Sequence, residues 1–168
     1  MDIDFWGVVH GTQAFLPHLH RADEGHVVNI SSVFGLVSIP GQSAYNSAKF
    51  AVRGFSDALR MELEIEKANV SVTTIHPGGI KTNIVNSGRR DDTVRAIGQD
   101  PDDMQNEFDK FAMSSPEKAA RQILKAVERN RRRALIGPDA KLFDIASRLP
   151  AGLYQRFFIS SARRELSR

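Results

Sequence analysis

Three short runs rich in β-branched and apolar residues, HVVNI at 26–30, VSVTTI at 70–75 and RALI at 133–136, are separated by long segments of helical periodicity. No other feature constrains the fold as much. A strand, a helix and a second strand leave enough chain to cross over a sheet, so the strands pair in parallel, and a parallel sheet needs helices to cover its faces. The expectation is an α/β fold: a partial doubly wound parallel sheet of about three strands with flanking helices.

The intervening segments have their own punctuation. Residues 4–20 place Phe5, Val8, Val9, Thr12, Phe15, Leu16 and Leu19 at helical spacing, with Asp2 or Asp4 as a cap and Pro17 as a kink or end. Gly7 and Gly11 repeat a small-residue spacing that suits close helix packing. A second helix, 43–67, runs through Ala48, Val52, Phe55, Leu59 and Leu63. Ser115 caps a third, with Pro116 in its first position and Ala119, Ala120, Ile123, Leu124 and Val127 on its apolar face. Before it lie about forty residues with one weak helical stretch, 101–113, a length typical of a lid or binding loop. Residues 139–168 read as a helical tail packed on the body, and 1–168 as a single domain.

Composition excludes several classes. Without cysteine there is no disulfide frame, thiolate zinc site or cysteine nucleophile. The five histidines form no metal-ligating spacing. A net charge of +3 gives no case for nucleic acid, and the cluster ERNRRRA at 128–134 reads as a solvated helix end. With no apolar run of membrane-spanning length, the expectation is a soluble cytoplasmic protein.

The stretch GQSAYNSAKF, 41–50, sets Tyr45 and Lys49 four apart on one helix face among small side chains. In open parallel sheets ligands bind at the carboxyl ends of the strands, and Ser31, Ser32 and the HPGGIKT segment fall there. A phenol is a weak acid at neutral pH, and a neighbouring ammonium favours the phenolate. A hydroxyl from Ser32 would hold a carbonyl or alcohol oxygen beside it. The protein has no group that exchanges hydride, so a cofactor must.

NISSVFG, Tyr45 thirteen positions after Ser32, Lys49, and a strand closed by HPGGIKT together resemble the catalytic half of the short-chain dehydrogenase/reductase family. FWGVVHGTQAFLPHL likewise resembles the helix that precedes the serine strand in that family, so the likeness covers about 4–138 in order and spacing. The resemblance implies a Rossmann-like fold and hydride exchange between NAD or NADP and an alcohol or ketone. Tyr45 would be the general acid/base, Lys49 would lower its pKa and bond the nicotinamide ribose, and Ser32 would orient the substrate oxygen. Pro77, Gly78, Ile80 and Thr82 match the segment that closes over the cofactor. Phe34 falls at a substrate contact, and 81–114 matches the variable substrate loop. The helices at 4–20 and 43–67 would form a homo-oligomer interface.

The chain departs from the family's pattern in two places. Asp4 stands where the family commonly has an asparagine that holds a proton-relaying water, and an ionised Asp4 would compete with Tyr45 for the charge of Lys49. No G-x-G-x-x-G turn for the pyrophosphate occurs, so the chain reads as a fragment that is inactive alone and whose strand at 26–30 has an exposed apolar edge. The alternative is a truncated, non-catalytic protein that acts through helix-mediated association.

Overall fold

The structure is a computed structural model that describes residues 1–85, 87–88, 92–100 and 104–166. Among these, β1 (Gly25–Ile30), β2 (Val70–Pro77) and β3 (Arg133–Ile136) form one parallel sheet in the order β1-β2-β3. The register pairs Gly25 with Val70 through Ile30 with Ile75, and Thr74 with Arg133 through Pro77 with Ile136. The α/β parallel sheet expected from the alternating runs is present.

Strand alternation explains how the sheet is covered on both faces. Val70 and Val72 point to one side, into a cluster with Leu59 and Leu63, against which Leu16, Leu19, Val27 and Phe55 pack. Ile75, of opposite parity, joins Ala119, Ala126, Ala134 and Ile136 on the other side. Helices α1 (Gly7–His20) and α2 (Ser43–Ile65) therefore supply one layer and α4 (Pro116–Glu128) the other. Ser115 caps α4 as expected, its hydroxyl accepting from the Lys118 amide at 3.3 Å.

Several details differ from expectation. The first helix begins as a five-residue π segment, Asp2–Trp6, with no side-chain cap. Pro17 neither ends nor bounds α1, which runs on to His20; so near the carboxyl end, the lost bond is one of the last. Phe15 is exposed, and of the expected stripe Val9 and Thr12 are buried while Leu16 and Leu19 are partly buried against the core. A methyl group at Gly11 would meet nothing within 4 Å, and one at Gly7 only the Asp2 carbonyl at 3.7 Å, so no close helix packing uses them. The second strand extends past residue 75 to Pro77, because β3 continues the pairing there. The weak helical stretch is α3 (Met104–Phe111), and 101–103 lie outside the described residues.

The tail forms α5 (Pro138–Ser147) and α6 (Ala151–Leu166). Leu153, Phe157 and Ile159 of α6 are exposed, so only part of its apolar surface packs as the sequence suggested. Tyr154 and Phe158, on the helix's other side, are the half-buried ones. Among the described residues no helix is long and apolar enough to cross a membrane.

Candidate active site

At the carboxyl end of β1 the chain is clamped onto α2. Backbone pairing ends where the Ser31 amide donates to Ile75 O at 2.8 Å, and the Ser31 hydroxyl then donates to Lys49 O at 2.8 Å. Gly35 makes that contact possible: a methyl group there would stand 2.4 Å from Ser31 Oγ and 2.7 Å from Lys49 O. Asn29 donates to Ser56 Oγ at 2.9 Å, and Arg53 reaches Gly35 O at 3.2 Å. The helix that carries Tyr45 and Lys49 is thereby fixed to the strand that carries Ser32.

Ser32 is buried and extended, and it caps the short turn Val33–Gly35. Its hydroxyl accepts from the Phe34 amide at 3.1 Å and acts on the nearby Tyr45 phenol to lower its pKa. Its carbonyl accepts from the Gly35 amide at 3.0 Å and is bonded by the His76 ring nitrogen Nδ1 at 2.8 Å. Phe34 meets Tyr45 edge-on at 6.4 Å and Phe143 at 5.9 Å, which forms an aromatic wall beside the phenol.

The buried Lys49 ammonium lies 3.6 Å from Asp4 Oδ1, 3.3 Å from Ile30 O and 5.4 Å from the Tyr45 ring centroid. It therefore sits over the ring face while its charge is shared with Asp4. Burial pushes the Tyr45 phenol above its usual range, the Ser32 hydroxyl bond pulls it down, and the Asp4 carboxylate pushes it up again. The expected lowering by Lys49 is thus not what this structure shows. The competition expected from an ionised Asp4 has a geometric basis in the Asp4 to Lys49 contact.

The HPGGIKT segment leaves β2 beside this group. The Gly78 amide donates to Ile136 O at 2.9 Å, and the Gly79 amide to Asp139 Oδ2 at 2.6 Å. A methyl group at Gly79 would fall 2.8 Å from the Phe111 backbone carbonyl, so that position admits no side chain, and one at Gly78 would displace the Asp139 carboxylate. Ile80 bridges to Ser114, which ties together the two ends of the long loop. Thr82 is exposed and lines a cavity of about 410 Å³ with Lys81, Asn83, Gln105 and Asp109.

The structure brings Ser32, Phe34, Tyr45, Lys49 and Asp4 together, with Pro77, Gly78 and Ile80 on the adjoining loop; Thr82 stands further out on that loop. Ser31 was placed at this edge by the sequence, and the structure gives it the clamp to Lys49 O; Arg53 and Asp139 were missed. Only Asp139 had a local signal, as an acid in the first turn of a helix that follows a strand and a Gly-Pro pair.

Fold and site together define a class: an open parallel α/β protein whose candidate site lies at the carboxyl ends of its strands. The pattern of the short chain dehydrogenase family matches residues 1–93. SadH of Mycobacterium tuberculosis H37Rv is 50% identical over 157 residues, which is 93% of this chain and 55% of SadH. A short chain dehydrogenase/reductase from Burkholderia phymatum, solved in complex with NAD, superposes with a TM-score of 0.73 at 23% identity, over 90% of this chain and 56% of that one. Another from Burkholderia cenocepacia, solved with NADP, gives 0.70 at 17% identity over 93% and 56%. These two likenesses are of fold. The chain belongs to the short-chain dehydrogenase/reductase family and spans a little over half the length of these relatives.

Proposed function

We propose that these residues are the acid/base and nicotinamide end of an oxidoreductase that interconverts an alcohol and a ketone with NAD or NADP. The observation that carries the reading is the buried Lys49 ammonium held 5.4 Å from the Tyr45 ring centroid, on the helix clamped against the carboxyl end of β1 where Ser32 lies. The family's use of NAD and NADP is represented among the solved relatives.

The donor set suits one end of such a cofactor. Lys49 and Tyr45 would hold the nicotinamide ribose, and Pro77, Gly78, Ile80 and Thr82 would close over the nicotinamide and its phosphates. The 168 residues contain no G-x-G-x-x-G turn, so the reading assigns pyrophosphate binding to polypeptide beyond them. When bound, the cofactor supplies or accepts the hydride. The chain's own residues handle the oxygen. Ser32 donates a hydrogen bond to the substrate oxygen, Phe34 lines the substrate side, and Tyr45 passes its phenolic proton to that oxygen as the carbonyl becomes an alcohol.

Asp4 shares the ammonium's charge and tunes this step, so Asp4→Asn should lower the Tyr45 pKa. Association through α1 and α2 is part of the reading, because Ile3, Trp6, Phe50, Met61 and Ile65 are exposed. Association alone, without catalysis, leaves the buried Lys49 and its contact with Asp4 unexplained, and is not adopted. Fluorescence titration with NADH and NADPH, followed by ketone reduction assays on this chain joined to polypeptide that supplies the pyrophosphate turn, tests the proposal. Binding that Lys49→Ala weakens, with turnover lost in Tyr45→Phe, is the expected result. Turnover undiminished in Tyr45→Phe would sink it.

A further inference from the structure

We infer that His76 is a positioning residue for Ser32: from the central strand it holds the Ser32 carbonyl and so aims the hydroxyl at Tyr45. The inference rests on the reading of Ser32 and Tyr45 given above, and extends it to a residue outside the reacting group.

The geometry is specific. His76 is fully buried, and its Nδ1 lies 2.8 Å from Ser32 O, across a separation of 44 residues. The last backbone bond between β1 and β2 is Ser31 N to Ile75 O, so His76 continues the pairing by side chain after the two backbones part. A carbonyl can only accept, so Nδ1 carries the proton, and Nε2 is left as a bare acceptor with no partner among the described residues. Burial keeps the ring neutral, pushing its pKa down to about 4 against the opposing Ser32 carbonyl bond, with Arg133 and Arg53 adding to the lowering and Asp57 opposing it.

Two donors, His76 Nδ1 and the Gly35 amide, fill both lone pairs of that carbonyl. The peptide plane after Ser32 is then fixed from below and from ahead, and with it the direction of the side chain. A filler residue would not need a donor at this one ring position. An orphaned Nε2 in the core carries a desolvation cost that a purely structural role would avoid by using an apolar side chain.

The test separates the two ring positions and needs no turnover. In a Tyr154→Phe background Tyr45 is the one remaining tyrosine, so its ionisation can be followed by ultraviolet difference titration of the full 168-residue chain. Ser32→Ala should raise the Tyr45 pKa, because the Ser32 hydroxyl lowers it. His76→Gln and His76→Leu should raise it nearly as far, whereas His76→Asn, whose amide nitrogen overlays Nδ1, should restore the parent value. Nitrogen-15 NMR of the parent protein should show a ring protonated at Nδ1 and neutral above pH 5. A shift with Ser32→Ala but none with His76→Gln overturns the inference and leaves the proposed site standing. No shift with Ser32→Ala overturns both. A ring protonated at Nε2 overturns the inference even if every His76 variant fails to fold.

Discussion

The carboxyl edge of the sheet and the outward faces of α1 and α2 are built to opposite standards. At the edge, Ser31, Ser32, Gly35, Lys49 and His76 are each held by at least one other member of the group or by a neighbouring strand. On the outer faces, Ile3, Trp6, Met61 and Ile65 are exposed, and a methyl group at Gly11 or Gly54 would meet nothing. Chemistry at an oxygen needs placement within a fraction of an ångström, which comes only from neighbours that leave no slack. The outer faces carry apolar side chains that stay largely exposed, Trp6 touching Phe5 and His10 beside it.

The comparison breaks most sharply at glycine. Gly35→Ala drives a methyl group into Ser31 Oγ and Lys49 O and should cost about 3 kcal/mol, overpacking plus the loss of one buried hydrogen bond. Urea unfolding should show the midpoint fall sharply with little change in slope. An alanine tolerated here to within 0.5 kcal/mol, on the order of a surface change, would mean the clamp is slack.

Acid acts on the same edge through His76. Its folded pKa of about 4 lies below the ordinary 6.5, so the unfolded chain binds the proton more readily. Stability from this group is complete above about pH 6.5, declines as pH falls from there, and is fully lost below about pH 4, for a total of about 3 kcal/mol. His26 is also lowered, by burial and then by Arg60, and contributes in the same direction. Removing the His76 contribution with His76→Asn should flatten the dependence of urea midpoints on pH between 4 and 6.5. An unchanged slope counts against a neutral buried ring.

The loop beside the site depends on one carboxylate. Asp139→Ala strands the Gly79 amide and should cost about 1–2 kcal/mol, with faster hydrogen exchange at Gly79 and its neighbours. Unaltered exchange there would show that the Ile80 to Ser114 bridge holds the loop unaided.

What was legible in the sequence follows from how local each signal is. The three strands and the α4 cap were readable because β-branched runs and Ser-Pro punctuation act over a few residues. Tyr45 and Lys49 were readable as a pair because helical spacing places them on one face. The partners that hold the edge rigid were not, since His76 reaches Ser32 over 44 residues and Asp139 reaches Gly79 over 60. The exposed Phe15 escaped for another reason. Periodicity marks an apolar stripe, but how much of it the sheet covers depends on the angle at which α1 crosses, and no residue in α1 encodes that.

The smallest effects belong to the outer faces, where the two standards of packing separate most clearly. Gly54→Ala meets only open space in a helix interior and should stabilise the chain by about 0.5–1 kcal/mol, the reverse of Gly35→Ala. Ile65→Glu replaces an 81% exposed side chain and should leave the unfolding midpoint within about 0.5 kcal/mol of the parent. If the face is an interface, sedimentation should show the same substitution weakening self-association several-fold while the Tyr45 titration stays unmoved. A substitution that disturbs the tyrosine but not association would place Ile65 on the side of the clamped edge, and the division of the molecule into a rigid site and an open face would have to be redrawn.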